Sequence, residues 1–235
     1  VHDRHSASPC WADATYRLAE RSYQTQDFDR ARELLRELMA AELPETAVRL
    51  RPYALYLQGR VAAARNDWRQ TATLMRQVTT EHATTEPATD ARLWLAESLY
   101  QLKDYDAAWP HFQTVAEATH QPADAWATIV RLRQAQILAV RKQWPEALAA
   151  AEAIVEQQPE FLRRYEADYV AGRALMALAR LDDARGAFQR AVDDPHALGS
   201  ETAAMAQWMV GETYLHQRQY REAVRAYLKV DLLHD

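Results

Sequence analysis

Six large residues stand at what read as helix–helix junctions, and the sequence around each keeps one register. The anchors are Phe28, Trp68, Tyr105, Trp144, Leu181 and Tyr220, at steps of 40, 37, 39, 37 and 39 residues. Nine residues before each stands a small one: Ala19, Gly59, Ala96, Ala135, Gly172 and Gly211. Three residues after come Ala31, Thr71, Ala108, Ala147, Ala184 and Ala223. Seven after come Leu35, Met75, Phe112, Ala151, Phe188 and Tyr227, and ten after come Leu38, Val78, Val115, Ile154, Ala191 and Val230. Fixed spacing inside a unit with variable steps between units marks a repeated supersecondary element whose length changes fall at its joints.

The register has a physical reading. Small residues belong where two helices of one unit cross closely. Positions three, seven and ten after the anchor share one helical face, expected to bury against the next unit. Pro44, Pro87, Pro122, Pro159 and Pro195 fall at the joints, where proline stops a helix. Pro145 suits a helix first turn, and Pro110 predicts a kink or a late start. Only 5 glycines and one asparagine, Asn66, occur in 235 residues, too few for a hairpin-rich β protein. The abundant Ala, Leu, Arg, Glu and Gln favour helix. The expected fold is all-α, with about twelve antiparallel helices in six pairs. First helices are expected near 11–25, 52–65, 89–102, 124–141, 162–179 and 200–217. Second helices are expected near 28–41, 68–82, 105–118, 145–157, 182–193 and 220–233.

Charge and chemistry exclude several classes. A formal net charge of −5 lacks the basic excess of a nucleic-acid binder. Cys10 is alone, so no intrachain disulfide or cysteine metal site forms. His2, His5, His82, His111, His120, His196, His216 and His234 include no pair at the zinc-protease spacing. No glycine-rich phosphate loop or nucleophile elbow exists. Charged runs such as Arg30–Ala31–Arg32–Glu33 read as solvated faces. The expectation is no catalytic residue, no metal, no cofactor and no membrane span.

The offsets resemble the tetratricopeptide repeat. The best match is Trp208–Met209–Val210–Gly211–Glu212–Thr213–Tyr214, continued by Tyr220, Ala223 and Tyr227. The resemblance implies a right-handed α-solenoid of six helix-turn-helix repeats, about 11–44, 52–87, 89–122, 124–159, 162–195 and 200–235, after a tail at 1–10. These repeats are longer than the usual unit of about 34 residues and are similar in style to those of bacterial envelope proteins. The compartment stays open between bacterial cytoplasm and periplasm, with the resemblance favouring the periplasm. Tyr220, Ala223, Tyr227 and Val230 are expected to leave an apolar edge, and the chain to be a domain of a longer protein.

By the same resemblance, first helices line a concave groove that binds a peptide or helix of a partner protein. The groove positions are then Tyr56, Arg60, Glu97, Tyr100, Tyr169, Arg173, Trp208 and Glu212. With them go Tyr16, Glu20, Tyr23, Ala63, Leu93, Leu132, Gln136, Ala139, Met176 and Leu215. The family's carboxylate clamp needs groove asparagine and lysine, and these positions hold neither. The alternatives are a self-associating homo-oligomeric module, or a substrate-recruiting domain of a larger envelope or enzyme protein.

Overall fold

The computed structural model describes residues 9–118 and 125–232. They form twelve α-helices, with no strand among the described residues. The first helices are α1 (Pro9–Gln24), α3 (Arg51–Ala64), α5 (Pro87–Gln101), α7 (Ala125–Val140), α9 (Arg164–Ala177) and α11 (Glu201–His216). The second helices are α2 (Phe28–Ala40), α4 (Trp68–Glu81), α6 (Tyr105–Ala118), α8 (Trp144–Gln157), α10 (Leu181–Asp193) and α12 (Tyr220–Leu232). Every anchor is thus the first residue of a second helix. Short 3-10 segments at Glu45–Leu50 and Pro195–Ala197 fill two joints. The chain divides into two compact units, Val1–Val115 and Ala116–Asp235.

All six turns inside the repeats use one device. Gln26, Asn66, Lys103, Lys142, Ala179 and Arg218, two residues before each anchor, have φ between 59° and 63°. Each donates its backbone N–H three residues back, and the next residue donates five back, as Gln26 to Tyr23 O and Asp27 to Ser22 O. This paired bonding closes a helix C-terminus through a left-handed residue. That conformation costs an L-residue about 1–2 kcal/mol. In unit 1 the next residue is an aspartate that also starts the second helix. Asp27, Asp67 and Asp104 accept from the backbone N–H of Arg30, Gln70 and Ala107. Gln143 and Arg180 in unit 2 make no such cap.

The small position lies against the residue seven past the anchor in the same repeat. A methyl on Gly59 would come within 2.5 Å of Met75 Cε, and one on Gly172 within 2.6 Å of the Phe188 ring. One on Gly211 would lie within the Tyr227 ring's contact radius. The sequence had assigned the seventh position to the next unit. The correction follows from the helix crossing: Thr71, three past its anchor, also points back at its own first helix, with Oγ1 donating to Gly59 O at 3.4 Å.

Three other expectations change. α6 starts at Tyr105 and carries Pro110 inside it, so the late start does not occur. The missing N–H falls in the second turn. Pro87 opens α5 in its first turn instead of closing the preceding helix, because proline's fixed φ suits a helix start. Ala223 is buried and Tyr227 and Val230 half-buried against α11. The open edge of α12 is instead Tyr220, Val224 and Leu228, exposed by 61%, 56% and 64%. Pro122, His2, His5, His120 and His234 lie outside the described residues.

Candidate functional site

Within each unit the first helices touch one another: α3 against α1 and α5, and α9 against α7 and α11. The second helices stand further apart, so each unit curves with its first helices inside. Side chains on those inner helices form two faces, one per unit.

In unit 1 the face is organised around Arg60 of α3. Its Nη1 donates to Tyr56 Oη at 2.9 Å and its Nη2 to Tyr23 Oη at 3.0 Å. The guanidinium carbon lies 4.6 Å from the centre of the Trp94 ring, 5.4 Å from that of Tyr23 and 5.6 Å from that of Tyr56. Three rings from α1, α3 and α5 therefore enclose one cation, a geometry in which the ring faces attract the charge. Burial pushes the Tyr56 phenol above its ordinary value, with Arg60 pulling the other way. Tyr16, beside this cage, is pushed up to about 12, first by burial and then by Glu20. Its ring meets Tyr53 edge-on at 6.4 Å, and Tyr53 Oη donates to Glu86 Oε2 at 3.0 Å. Glu97 accepts from Gln101 Nε2 at 2.7 Å, and Tyr100 packs 5.4 Å from Tyr105.

In unit 2 the same register position holds Arg173 of α9. Its guanidinium lies 5.9 Å from the Trp144 ring and 6.0 Å from the Tyr169 ring. Among the described residues it makes no hydrogen bond or ion pair. Tyr169 Oη donates to Met205 Sδ at 3.8 Å, and burial raises its phenol above the ordinary value. Trp208, on α11, is 49% exposed. Glu212 accepts from Tyr227 Oη at 2.7 Å, which ties it to α12. Burial and that hydrogen bond push Tyr227 up to about 12. Gln136 donates to Glu166 at 2.9 Å across α7 and α9.

The structure therefore brings Tyr56, Arg60 and Tyr23 together in one unit, and Tyr169 and Arg173 in the other. Leu132, Ala139 and Ala63 are buried and do not line a face. The expected groove positions lie four residues before and three after the central one, and at these three places that step turns into the helix pair, because an α-helix repeats every 3.6 residues. The same drift hid Trp94, which stands one residue beyond the chosen Leu93. Its signal was present: a tryptophan one turn before Ser98 on a first helix otherwise rich in small and aliphatic residues.

Behind the Arg173 face a buried carboxylate ties α9 to α10. Asp168 is 2% exposed and accepts from Arg190 Nε at 2.8 Å, with Arg164 Nε at 3.8 Å. Desolvation outweighs both cations and raises its pKa. Among the described residues no group of three metal-binding side chains occurs, and no helix is long and apolar enough to cross a membrane.

Comparison with known proteins places this architecture. The model of the tetratricopeptide repeat-like domain matches residues 49–208, more than half the chain, and a tetratricopeptide repeat model matches residues 16–73. A search of curated proteins finds no match. Among solved structures, MamA 41-end from Desulfovibrio magneticus RS-1 is 19% identical, with a TM-score of 0.61 over 77% of this chain and 94% of that one. YrrB, described as a TPR protein with an unusual peptide-binding site, is 18% identical, with a TM-score of 0.61 over 87% of this chain and 90% of that one. A putative kinesin light chain from Podosopora anserina with nearly identical TPR-like repeats is 16% identical, with a TM-score of 0.59 over 79% and 95%. With its helix pairs, its small-residue crossings and this match, the chain belongs to the tetratricopeptide-repeat family.

Proposed function

We propose that the chain is a protein-interaction module, not a catalyst, and that the inner face of unit 2 holds a peptide segment of a partner through Arg173. The observation carrying this is the state of that guanidinium. It is half-buried and oriented by two rings, and its hydrogen-bond fork has no acceptor among the described residues. A fixed fork of this kind matches a carboxylate with two parallel bonds. Trp208 and Met205 add exposed apolar surface on the neighbouring helix, and an aromatic beside an arginine is the usual make-up of an interface anchor. YrrB, a TPR protein described as having an unusual peptide-binding site, supports this reading.

Peptide display selected on the wild-type chain tests it. Selected peptides should carry a side-chain or terminal carboxylate and lose about tenfold affinity or more for Arg173→Gln, the ~1.5–3 kcal/mol of a charged hydrogen bond. Peptides that bind Arg173→Gln as tightly as wild type would remove Arg173 from the site.

The exposed row Tyr220, Val224 and Leu228 favours self-association through α12 as a second reading. Light scattering of wild type and Leu228→Arg at rising concentration distinguishes them, because a mass that stays monomeric in both eliminates it.

A further inference from the structure

The joint between α2 and α3 in unit 1 encloses a cleft of about 630 Å³, lined by Arg32, Arg36, Gln58, Ala62, Arg65 and Gln70 among others. It lies between a second helix and the next first helix, away from the Arg60 cage. Unit 2 shows what ordinarily occupies this place. In the joint between α10 and α11, Arg185 has the register of Arg32, Tyr214 that of Ala62, and Gln217 that of Arg65. There the arginine lies 3.9 Å over the Tyr214 ring and donates to Thr213 Oγ1 at 3.0 Å and to Gln217 Oε1, and the cleft beside Tyr214 is only about 220 Å³. In unit 1 the ring is replaced by the Ala62 methyl, and the threonine by Val61. The space opens, and three guanidinium groups border it.

Their charge is only partly offset within the joint. Asp29 Oδ1 is shared by Arg65 Nη1 at 2.6 Å and Arg32 Nη2 at 3.0 Å. Asp67 also lines the cleft and accepts the N–H of Gln70 on Oδ1, so three guanidinium groups stand against two carboxylates. Among the described residues Arg36 has no hydrogen bond or ion pair, and neither has the half-buried Gln58 side chain. The cleft therefore presents donors from α2, α3 and α4, directed from three walls. A planar carboxylate matches one guanidinium fork, whereas a tetrahedral phosphate offers oxygens to several at once. We infer that the α2–α3 cleft is a binding site for a phosphate monoester, held by Arg36 and Arg65 with Arg32 at the rim. Phosphorylated side chains of a partner and free phosphate esters share that chemistry.

The test is a side-chain NMR titration of the full chain with phenyl phosphate at constant ionic strength, following the arginine Nε–H signals. The signals of Arg32, Arg36 and Arg65 should move together and saturate. Arg36→Gln, on an exposed helix surface, should weaken binding at least fivefold while leaving the fold intact. Ala62→Tyr, which supplies the ring present in unit 2, should close the cleft and abolish binding. Arg218→Gln, an exposed arginine in unit 2, should bind as wild type does. A phosphoserine peptide binding at least tenfold tighter than O-phosphoserine would name a modified partner as the source, and equal affinities a free ester. Equal binding by wild type and Arg36→Gln, no saturable shift with either phosphate probe, or glutarate binding as tightly as phenyl phosphate would each overturn the assignment.

Discussion

Arg60 and Arg173 occupy one register position in two units, yet the surroundings make them different residues. Arg60 has both Nη groups bonded to tyrosine hydroxyls and three rings around it. Arg173 has two rings at the outer limit of attraction and no acceptor among the described residues. The difference comes from the neighbours: unit 1 brings Tyr23 and Trp94 from adjacent repeats, where unit 2 has Ala139 and Met209 in the same register. A half-buried arginine is thus bonded into the fold in one unit and without an acceptor among the described residues in the other.

The sharpest way to break this comparison is charge reversal at both places. Arg60→Glu should cost about 2–3 kcal/mol in urea unfolding, because two charged hydrogen bonds and the cation–ring contacts go together. Arg173→Glu should cost under about 1 kcal/mol, as expected for a residue without a bonded partner. Equal losses at the two positions would show that Arg173 is as structural as Arg60.

The helix crossings give the next effect. Gly172→Ala drives a methyl against a fully buried Phe188 ring, and overpacking of that kind costs about 1–3 kcal/mol. Gly59→Ala meets only the tip of Met75, a flexible chain that can turn away, so its loss should be the smaller of the two. Thermal melts of the two variants in parallel decide the order.

Helix caps separate the units more gently. Gln143 has φ −81° and ψ 70°, nearly the backbone of Asp27 at −81° and 72°. Gln143→Asp should therefore cap α8 and raise stability by about 1 kcal/mol, while Asp67→Ala should lose a similar amount. The smallest change is at the left-handed turns. Ala179→Gly should gain about 0.5 kcal/mol, the relief of a left-handed alanine less the added freedom of the unfolded chain. Asn66→Gly should gain less, since asparagine tolerates that conformation. Chemical denaturation with a shared m-value reads both pairs.

Much of the architecture was legible because helices broadcast it. The anchors, the small positions and the twelve helices follow from spacing alone, and helix ends fall within a few residues of the expected ones. The left-handed turns were not legible. Scarce glycine and asparagine argued against such conformations, yet Gln26, Lys103, Lys142, Ala179 and Arg218 adopt them because the two flanking backbone bonds hold them there. The faces were half legible. Register found Arg60, Arg173, Tyr56 and Tyr169, but not whether each guanidinium already had partners. Arg32 read as one member of a solvated charge run, because nothing in a linear sequence shows that Ala62 leaves a space in front of it.

In the three repeats whose small position is glycine, the close fit with the seventh-place partner closes inside one repeat. Gly59 lies against Met75, Gly172 against Phe188 and Gly211 against Tyr227. Such pairs make each of these repeats a self-contained cassette, exchangeable between scaffolds if both members travel together. The Arg185 contacts run across a joint instead, so a graft cut between α10 and α11 would sever them while leaving every crossing intact.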